Sequence, residues 1–365
     1  MMHFFQPRNR ALSPLAMETR KLRILVIADP HHPIPPNLYG GIERIAHLLC
    51  QGLQKRGHTV HLMAGKGSQS YGGNLILHRA PTLQYSSRAY RKILFQFLSI
   101  SAVREVDVVI NFGRLDYLET LLRNSIPLVC CFENPVAQSQ IDFVLKRRGK
   151  QKRTRFTGVS RAQVDGLSPP ERVDVVHNGV DIARFQFSPQ PANEPYLAFL
   201  GRLTKNKGVD VAIEVAKQSG LPLKIAGNIP NEPGASELFE TVIKPQLGDG
   251  CEWIGSVNDE QKNKFIGGAT ALLFPIQWNE PFGIVMIESL ACGTPVIATT
   301  RASTPEVIKD GETGFLCNSV GEIVEAVKRV GTIDRYACRA DAEARFSADA
   351  MVEQYLKVVQ KVLEK

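Results

Sequence analysis

From Lys21 onward the chain repeats one pattern: a short apolar run, a turn rich in glycine or proline, then apolar residues at intervals of three and four. KLRILVIADP from Lys21 predicts a buried strand, and the proline-rich loop HHPIPPNLYGGIE leads into a helix carrying Ile45, Leu48, Leu49 and Leu53. That helix should close at Lys55-Arg56-Gly57-His58, where basic residues in the last turn precede a glycine stop. TVHLMA gives the next strand. DVVINF from Asp107 and PLVCCF from Pro127 are continuous apolar runs, the pattern of parallel strands buried on both faces, with a helix around Leu115 to Leu122 between them.

A second series follows the stretch RFQFSPQPANEP, which has no periodicity and reads as a linker. YLAFLGRLTKNKGVDVAIEVAKQ gives strand, polar loop and helix. Then come PLKIAG, a helix from about Ala235, CEWIG, a helix from Asp259, ALLFPI from Ala271, a helix with Ile284, Ile287, Leu290 and Ala291, TPVIAT and GFLC. Such alternation is the grammar of doubly wound parallel sheets, whose ligands bind at the carboxyl ends of the strands. The expected division is a disordered leader at 1–20, in which Met17 is an alternative start, a first domain at 21–186, a second at 187–347, and a last helical stretch at 348–365. The two halves share architecture without a sequence repeat.

A length of 365 residues suits two domains, and 44% hydrophobic with 22% charged residues is an ordinary globular composition. No apolar run reaches the ~18 residues of a membrane span. The first twenty residues hold a Phe pair but lack the apolar core of a secretory signal. Cys50, Cys130, Cys131, Cys251, Cys292, Cys317 and Cys338 are scattered and show no metal-ligand spacing, which predicts a reduced, cytoplasmic protein. The net charge of +8 suits an anionic partner: a sugar nucleotide, a membrane surface or a nucleic acid. Two stretches bear on that choice. Leu145 to Arg155 holds seven basic residues among eleven, either a solvated face or a patch that steers a phosphate-bearing acceptor or rests on acidic lipid. In 85–103, Ile93, Leu94, Phe97 and Leu98 can share a face away from Arg88, Arg91 and Lys92. It packs in the core, or forms a lip against a lipid-linked acceptor or anionic membrane. No aromatics interleave the basic run and no nucleic-acid motif is present, so nucleic acid is set aside.

The chemistry concentrates between Asn279 and Gly293, where Glu280 and Glu288 stand eight residues apart across a helix start, after the ALLFPI strand, with Glu280 in the loop and Glu288 inside the helix. Free N–H groups and the positive end of the helix dipole there make an anion site. Gly40-Gly41 before the first helix, and Gly227-Asn228 at a strand end, are turns that either carry no ligand or let backbone approach one. Arg202 and Lys207 lie in one polar loop. An arginine fork and a mobile lysine suit a diphosphate, although a basic loop alone needs no ligand.

Several of these segments together resemble the retaining glycosyltransferases of the GT-B fold, family 4. Glu280 to Glu288 matches the family's E-x7-E, Gly201 to Gly208 its G-R-L-x-x-x-K-G, the Gly40-Gly41 loop its glycine turn after the first strand, and His177-Asn178-Gly179-Val180-Asp181 its P-N-G-V-D with histidine in the proline position. The resemblance implies an α/β GT-B fold, two doubly wound Rossmann-like domains facing a central cleft, with the last helix crossing back onto the first domain. It implies retaining transfer of a hexose-type sugar from a nucleoside diphosphate sugar to an unidentified saccharide, glycolipid or small-molecule acceptor, without a metal or other cofactor. Arg202, Lys207 and Glu280 would then be catalytic. Gly40, Gly41, Gly201, Arg202, Lys207, Gly227, Val257, Glu280, Pro281, Phe282, Gly283, Ile284, Val285 and Glu288 would line the donor, with Glu280 on sugar hydroxyls and Glu288 on the ribose. Many members place a histidine after a strand of the first domain. Here Asn111 and Glu133 occupy such strand ends, and with His177 and Asn178 they are assigned to the acceptor side. The expected location is the cytoplasm, with peripheral contact on the inner face of the membrane. The alternatives are a non-catalytic sugar-nucleotide-binding protein or a GT-B epimerase. A phosphorylase lacks an identifiable pyridoxal lysine, and a Rossmann oxidoreductase lacks G-x-G-x-x-G after the first strand.

Overall fold

The computed structural model describes residues 20–36, 40–78, 98, 102–149 and 153–364. The leader, most of the amphipathic stretch at 85–103, and Lys150 and Lys152 of the basic run lie outside the described residues.

Two wholly parallel sheets carry the fold. The first has seven strands in the order β3-β2-β1-β4-β5-β6-β7: β1 (Arg23–Ile27), β2 (Thr59–Gly65), β3 (Gly72–His78), β4 (Val108–Asn111), β5 (Leu128–Phe132), β6 (Thr154–Gly158) and β7 (Val173–Val175). The second has six in the order β10-β9-β8-β11-β12-β13: β8 (Leu197–Leu200), β9 (Leu223–Ala226), β10 (Cys251–Trp253), β11 (Ala271–Phe274), β12 (Val296–Thr299) and β13 (Gly314–Cys317). Uninterrupted apolar runs form the central strands because helices cover both faces, and Ile24 to Ile27 have no exposed surface, whereas the edge strands β3, β7 and β10 carry glycine or polar residues. Register is set at the centre, where Ile24 stands opposite both Val60 and Val108. Strand order reverses between β1 and β4, and between β8 and β11, so each sheet has its crevice there.

The longer helices are α1 (Gly41–Lys55), α2 (Gln138–Arg148), α3 (Val209–Ser219), α4 (Asp259–Gly267), α5 (Ile284–Ala291), α6 (Val320–Arg329), α7 (Arg335–Phe346) and α8 (Ala348–Leu363). The expected helix at 115–122 is a 3-10 turn, Leu115–Leu118, followed by one α turn, Glu119–Leu122. The expected helix from Ala235 is one α turn, Ala235–Leu238, that widens into a π turn at Phe239–Ile243 and ends in a 3-10 turn at Lys244–Gln246, where Pro245 cannot donate to an α ladder.

The chain leaves the first sheet and returns to it at one point. Val180 N donates to Phe346 O at 2.8 Å, and Ala348 N donates to Val180 O at 2.8 Å. From there α8 runs against α1, sharing the first sheet's core through Met351, Val352, Tyr355, Val358 and Val359. Gly52 makes this possible, because a Cβ at that position would stand 2.4 Å from Val352 Cγ2. Arg56 seals the edge, donating to Glu353 at 2.7 Å and Asp349 at 3.0 Å. The aperiodic stretch after Arg184 is pinned to the second sheet's helices, since Arg335 Nε donates to Ser188 O at 2.7 Å and the Phe187 ring lies tilted against Tyr336.

The basic run does not form one solvated face. Arg148 is buried and donates to Thr154 Oγ1 and to the carbonyls of Ile126, Asn124 and Arg153, while Arg155 pairs with Asp174 at 2.5 Å. Burial lowers the Arg148 guanidinium to about 10. Among the described residues of the run, Lys146 and Arg147 are exposed, and Arg147 lies over the Phe143 ring.

Candidate active site

The carboxyl ends of β8, β9 and β10 meet through glycines. Gly201 N donates to Ala226 O at 3.1 Å and Gly227 N to Gly255 O at 2.8 Å. A Cβ on Gly227 would lie 1.8 Å from Gly201 O, so no larger residue fits. The loop after β8 is anchored by the buried Leu203 and ends at Gly208, where φ is +75° and a Cβ would strike Pro275 O at 1.9 Å. This close approach sets Lys207 beside the loop that follows β11.

That loop turns into α5 at Gly283, with φ of +85° and Phe274 Cζ 2.7 Å from where a Cβ would be. Phe282 is buried, its carbonyl accepts from Ser303 Oγ at 2.7 Å, and its ring meets His177 and Phe346 at 5.8 and 6.0 Å. Pro281 is buried and Val285 half-buried behind it. Ile284 packs against the cores of both sheets, and a Cβ on Gly41 would stand 3.5 Å from Ile284 Cδ1. The amino ends of α1 and α5 thus face one another across the cleft, with Gly40 and Gly41 on one side and Gly283 and Ile284 on the other. Orphan N–H groups at both ends favour an anion between them.

The two glutamates are held alike. Glu280 Oε2 accepts from Lys207 Nζ and, at 2.8 Å, from Trp278 Nε1, and Lys207 also lies 5.5 Å from the Trp278 ring centre. Glu288 Oε1 accepts from Lys262 Nζ at 2.6 Å. In each case the other oxygen takes no hydrogen bond from a described residue. Side chains of all four residues are between 10% and 18% exposed, which makes these charge pairs stronger than surface pairs. Arg202 Nη1 pairs with Glu232 of the loop after β9. Val257 is half-buried against the second core at the end of β10. Asp259 joins the two halves: it accepts from Arg44 of α1 at 2.8 Å and lies 3.7 Å from Arg184 and 3.9 Å from Lys262. Burial alone would raise its carboxyl, but Arg44, Lys262 and Arg184 hold it below the ordinary carboxylate range.

The residues assigned to the acceptor side are placed differently. Asn111 is buried and its amide closes on its own loop, donating to Gly113 O at 2.9 Å and accepting from Gly113 N at 3.1 Å. His177 lies 3.3 Å from Glu306, whose carboxylate also accepts from Arg161 N and Ala162 N at 2.8 and 2.9 Å, so this group ties the two sheets together. Glu133 is half-buried as a residue, yet its carboxyl tip is enclosed beside Asn178 and Tyr355. Burial pushes it up to about 7, against hydrogen bonds from Asn178 and Tyr355 that act the other way. Glu133 Oε1 and Asn178 Oδ1 are buried without a hydrogen-bond partner.

Trp278, Lys262 and Glu232 were not singled out from the sequence. Lys262 had a signal: it precedes Phe265 and Ile266 by three and four residues, so it sits on the buried face of α4 where an apolar residue belongs. Trp278 and Glu232 lie in aperiodic loops and carried none.

Two facing doubly wound sheets of this topology make the GT-B architecture, and solved structures agree. Sucrose-phosphate synthase from Thermosynechococcus elongatus superposes with a TM-score of 0.74 at 18% identity, over 93% of this chain and 98% of that one. Anabaena HepE in complex with UDP-glucose gives 0.71 at 17% identity, over 93% and 99%. The family models divide at the same crossing point: Glycosyltransferase Family 4 matches residues 39–184 and Glycosyl transferases group 1 matches 181–345. The chain is a family 4-like glycosyltransferase of the GT-B fold. Among curated relatives, alpha-maltose-1-phosphate synthase of Mycolicibacterium smegmatis is 25% identical over 331 residues, 80% of this chain and 84% of that protein. The next two are matched over 45% and 48% of their own length. No helix among the described residues is long and apolar enough to cross a membrane.

Proposed function

We propose that this glycosyltransferase moves a hexose-type sugar from a nucleoside diphosphate sugar to a hydroxyl acceptor with retention of configuration and without a metal ion. The observation that carries the reading is the pair of lysine-held glutamates beside the amino end of α5. Departure of the diphosphate leaves negative charge that must be stabilised as it develops. Arg202 and Lys207 would exchange Glu232 and Glu280 for the diphosphate, and the amide groups around Phe282 to Ile284 would receive its oxygens. The basic side chains and helix end would take the part a divalent cation plays elsewhere. Glu280 would then grip donor sugar hydroxyls and Glu288 the ribose, both by charge-assisted hydrogen bonds. Likeness to HepE in complex with UDP-glucose supports a nucleotide-sugar donor.

The test is thermal stabilisation by UDP, GDP, ADP and CDP without added metal, with NAD as control. A shift with one diphosphate that disappears in Glu288→Ala is expected. No shift with any of the four, or a shift with NAD alone, overturns the donor site. NMR of the product from the matching α-linked donor should show an α linkage; a β linkage refutes retention.

A further inference from the structure

We infer that Lys262 is a positioning residue for the donor ribose, acting through Glu288. This rests on the proposed nucleotide-sugar site and assigns it a residue outside the E-x7-E and G-R-L-x-x-x-K-G segments.

Lys262 is a cation where the helix pattern calls for an apolar residue. Its face of α4 continues into Phe265 and Ile266, both buried in the second sheet's core. Its side chain is 15% exposed, and Nζ stands 2.6 Å from Glu288 Oε1. Glu288 is itself 7% exposed on α5, so its charge needs a partner inside the protein. The placement also decides geometry. The Lys262 contact to Oε1 favours one orientation of the carboxylate and leaves Oε2 for a ligand's hydroxyl. Across the site Lys207 does the same to Glu280, but Lys207 is itself assigned to the diphosphate. Lys262 has no such duty, because its remaining contact is Asp259 at 3.9 Å, which Arg44 engages at 2.8 Å. Lys262 therefore stays on Glu288 when the donor enters, and the two ends of the nucleotide are held by lysines with different tasks. One neutralises phosphate, whereas the other aims a carboxylate.

The experiment measures binding of each nucleoside diphosphate (UDP, GDP, ADP and CDP) and its 2′,3′-dideoxy counterpart by calorimetry. Wild-type protein, Lys262→Met and Lys262→Arg are compared. Wild type should prefer a ribo form to its dideoxy form, which tests the ribose assignment of Glu288 on its own. Lys262→Met should weaken the ribo form about tenfold, about 1.4 kcal/mol, and leave the dideoxy form unchanged. Lys262→Arg, which keeps the charge and reach, should restore most of that loss. Equal weakening of both forms, or no weakening, overturns the inference while the donor site stands. If wild type binds no nucleoside diphosphate, or does not distinguish the two forms, the donor reading itself falls and takes this inference with it. If Lys262→Met does not fold, Lys262→Gln takes its place: a loss confined to the ribo form supports the inference, and an equal loss on both forms, or none, overturns it.

Discussion

The cleft faces of the two sheets are built from similar strand ends and treat their polar groups in opposite ways. On the second sheet Glu280 and Glu288 are each fixed at one oxygen and open at the other. On the first, Asn111 spends its amide on Gly113, His177 on Glu306, and Glu133 sits under the floor with Asn178 and Tyr355. One face is arranged to receive a ligand whose chemistry is fixed in advance. The other uses its polar residues to hold its own loops and to fasten the sheets together.

That contrast can be broken by substitution. The largest effect is expected from Lys207→Ala, which should lower kcat by roughly 10²–10³-fold in steady-state kinetics, as for removal of other groups that stabilise developing charge. A loss under tenfold would mean that the lysine only balances Glu280. Next is Glu133→Gln. The folded carboxyl titrates at about 7 against an ordinary 4.5, so the unfolded chain binds fewer protons between those values and stability falls as pH rises through them. The amide should remove that penalty, stabilising the protein by up to about 3 kcal/mol at pH 8 and hardly at all at pH 4.5. A denaturation series with pH-independent differences would place the carboxyl in solvent. Glu288→Ala should weaken diphosphate binding by about ten- to thirtyfold, since it removes a charge-assisted bond worth about 1.5–2 kcal/mol, and should also lower the melting temperature of the free protein, because Lys262 loses its partner. Smallest is Asn111→Ala, expected to cost about 1 kcal/mol of stability through the lost loop bonds and to change turnover less than threefold. A kinetic defect larger than its stability defect would give Asn111 an acceptor role after all.

The same contrast explains what could be read from the chain. The second sheet and the centre of the first (β1, β2, β4 and β5) were legible as apolar runs, whereas β3, β6 and β7 mix polar residues and glycine and were not; the glycines at 201, 208 and 227 mark places where backbones touch. Glu280, Arg202 and Lys207 stood out in the sequence because each lies in a local segment between a strand and a helix, and Glu288 because it follows within α5. Lys262 with Glu288 was not, since that pair forms between separate helices 26 residues apart. Glu133 was harder still: its surroundings come from the ends of β5 and β7 and from α8, and only their packing encloses the carboxyl. The basic run misled in the same way. Arg148 and Arg155 are indistinguishable from solvated neighbours until Ile126 O and Asp174 are seen beside them.

The close seating of α8 on α1 at Gly52 carries a consequence for how the protein is made. The groove that Ala46, Leu49 and Leu53 present is closed by Met351, Val352 and Tyr355, which leave the ribosome long after the rest of the first sheet. At usual elongation rates of about 5–20 residues per second, the nascent first half waits roughly ten to thirty seconds with that groove uncovered. The second sheet is synthesised in the meantime, so the half begun first receives its last element last.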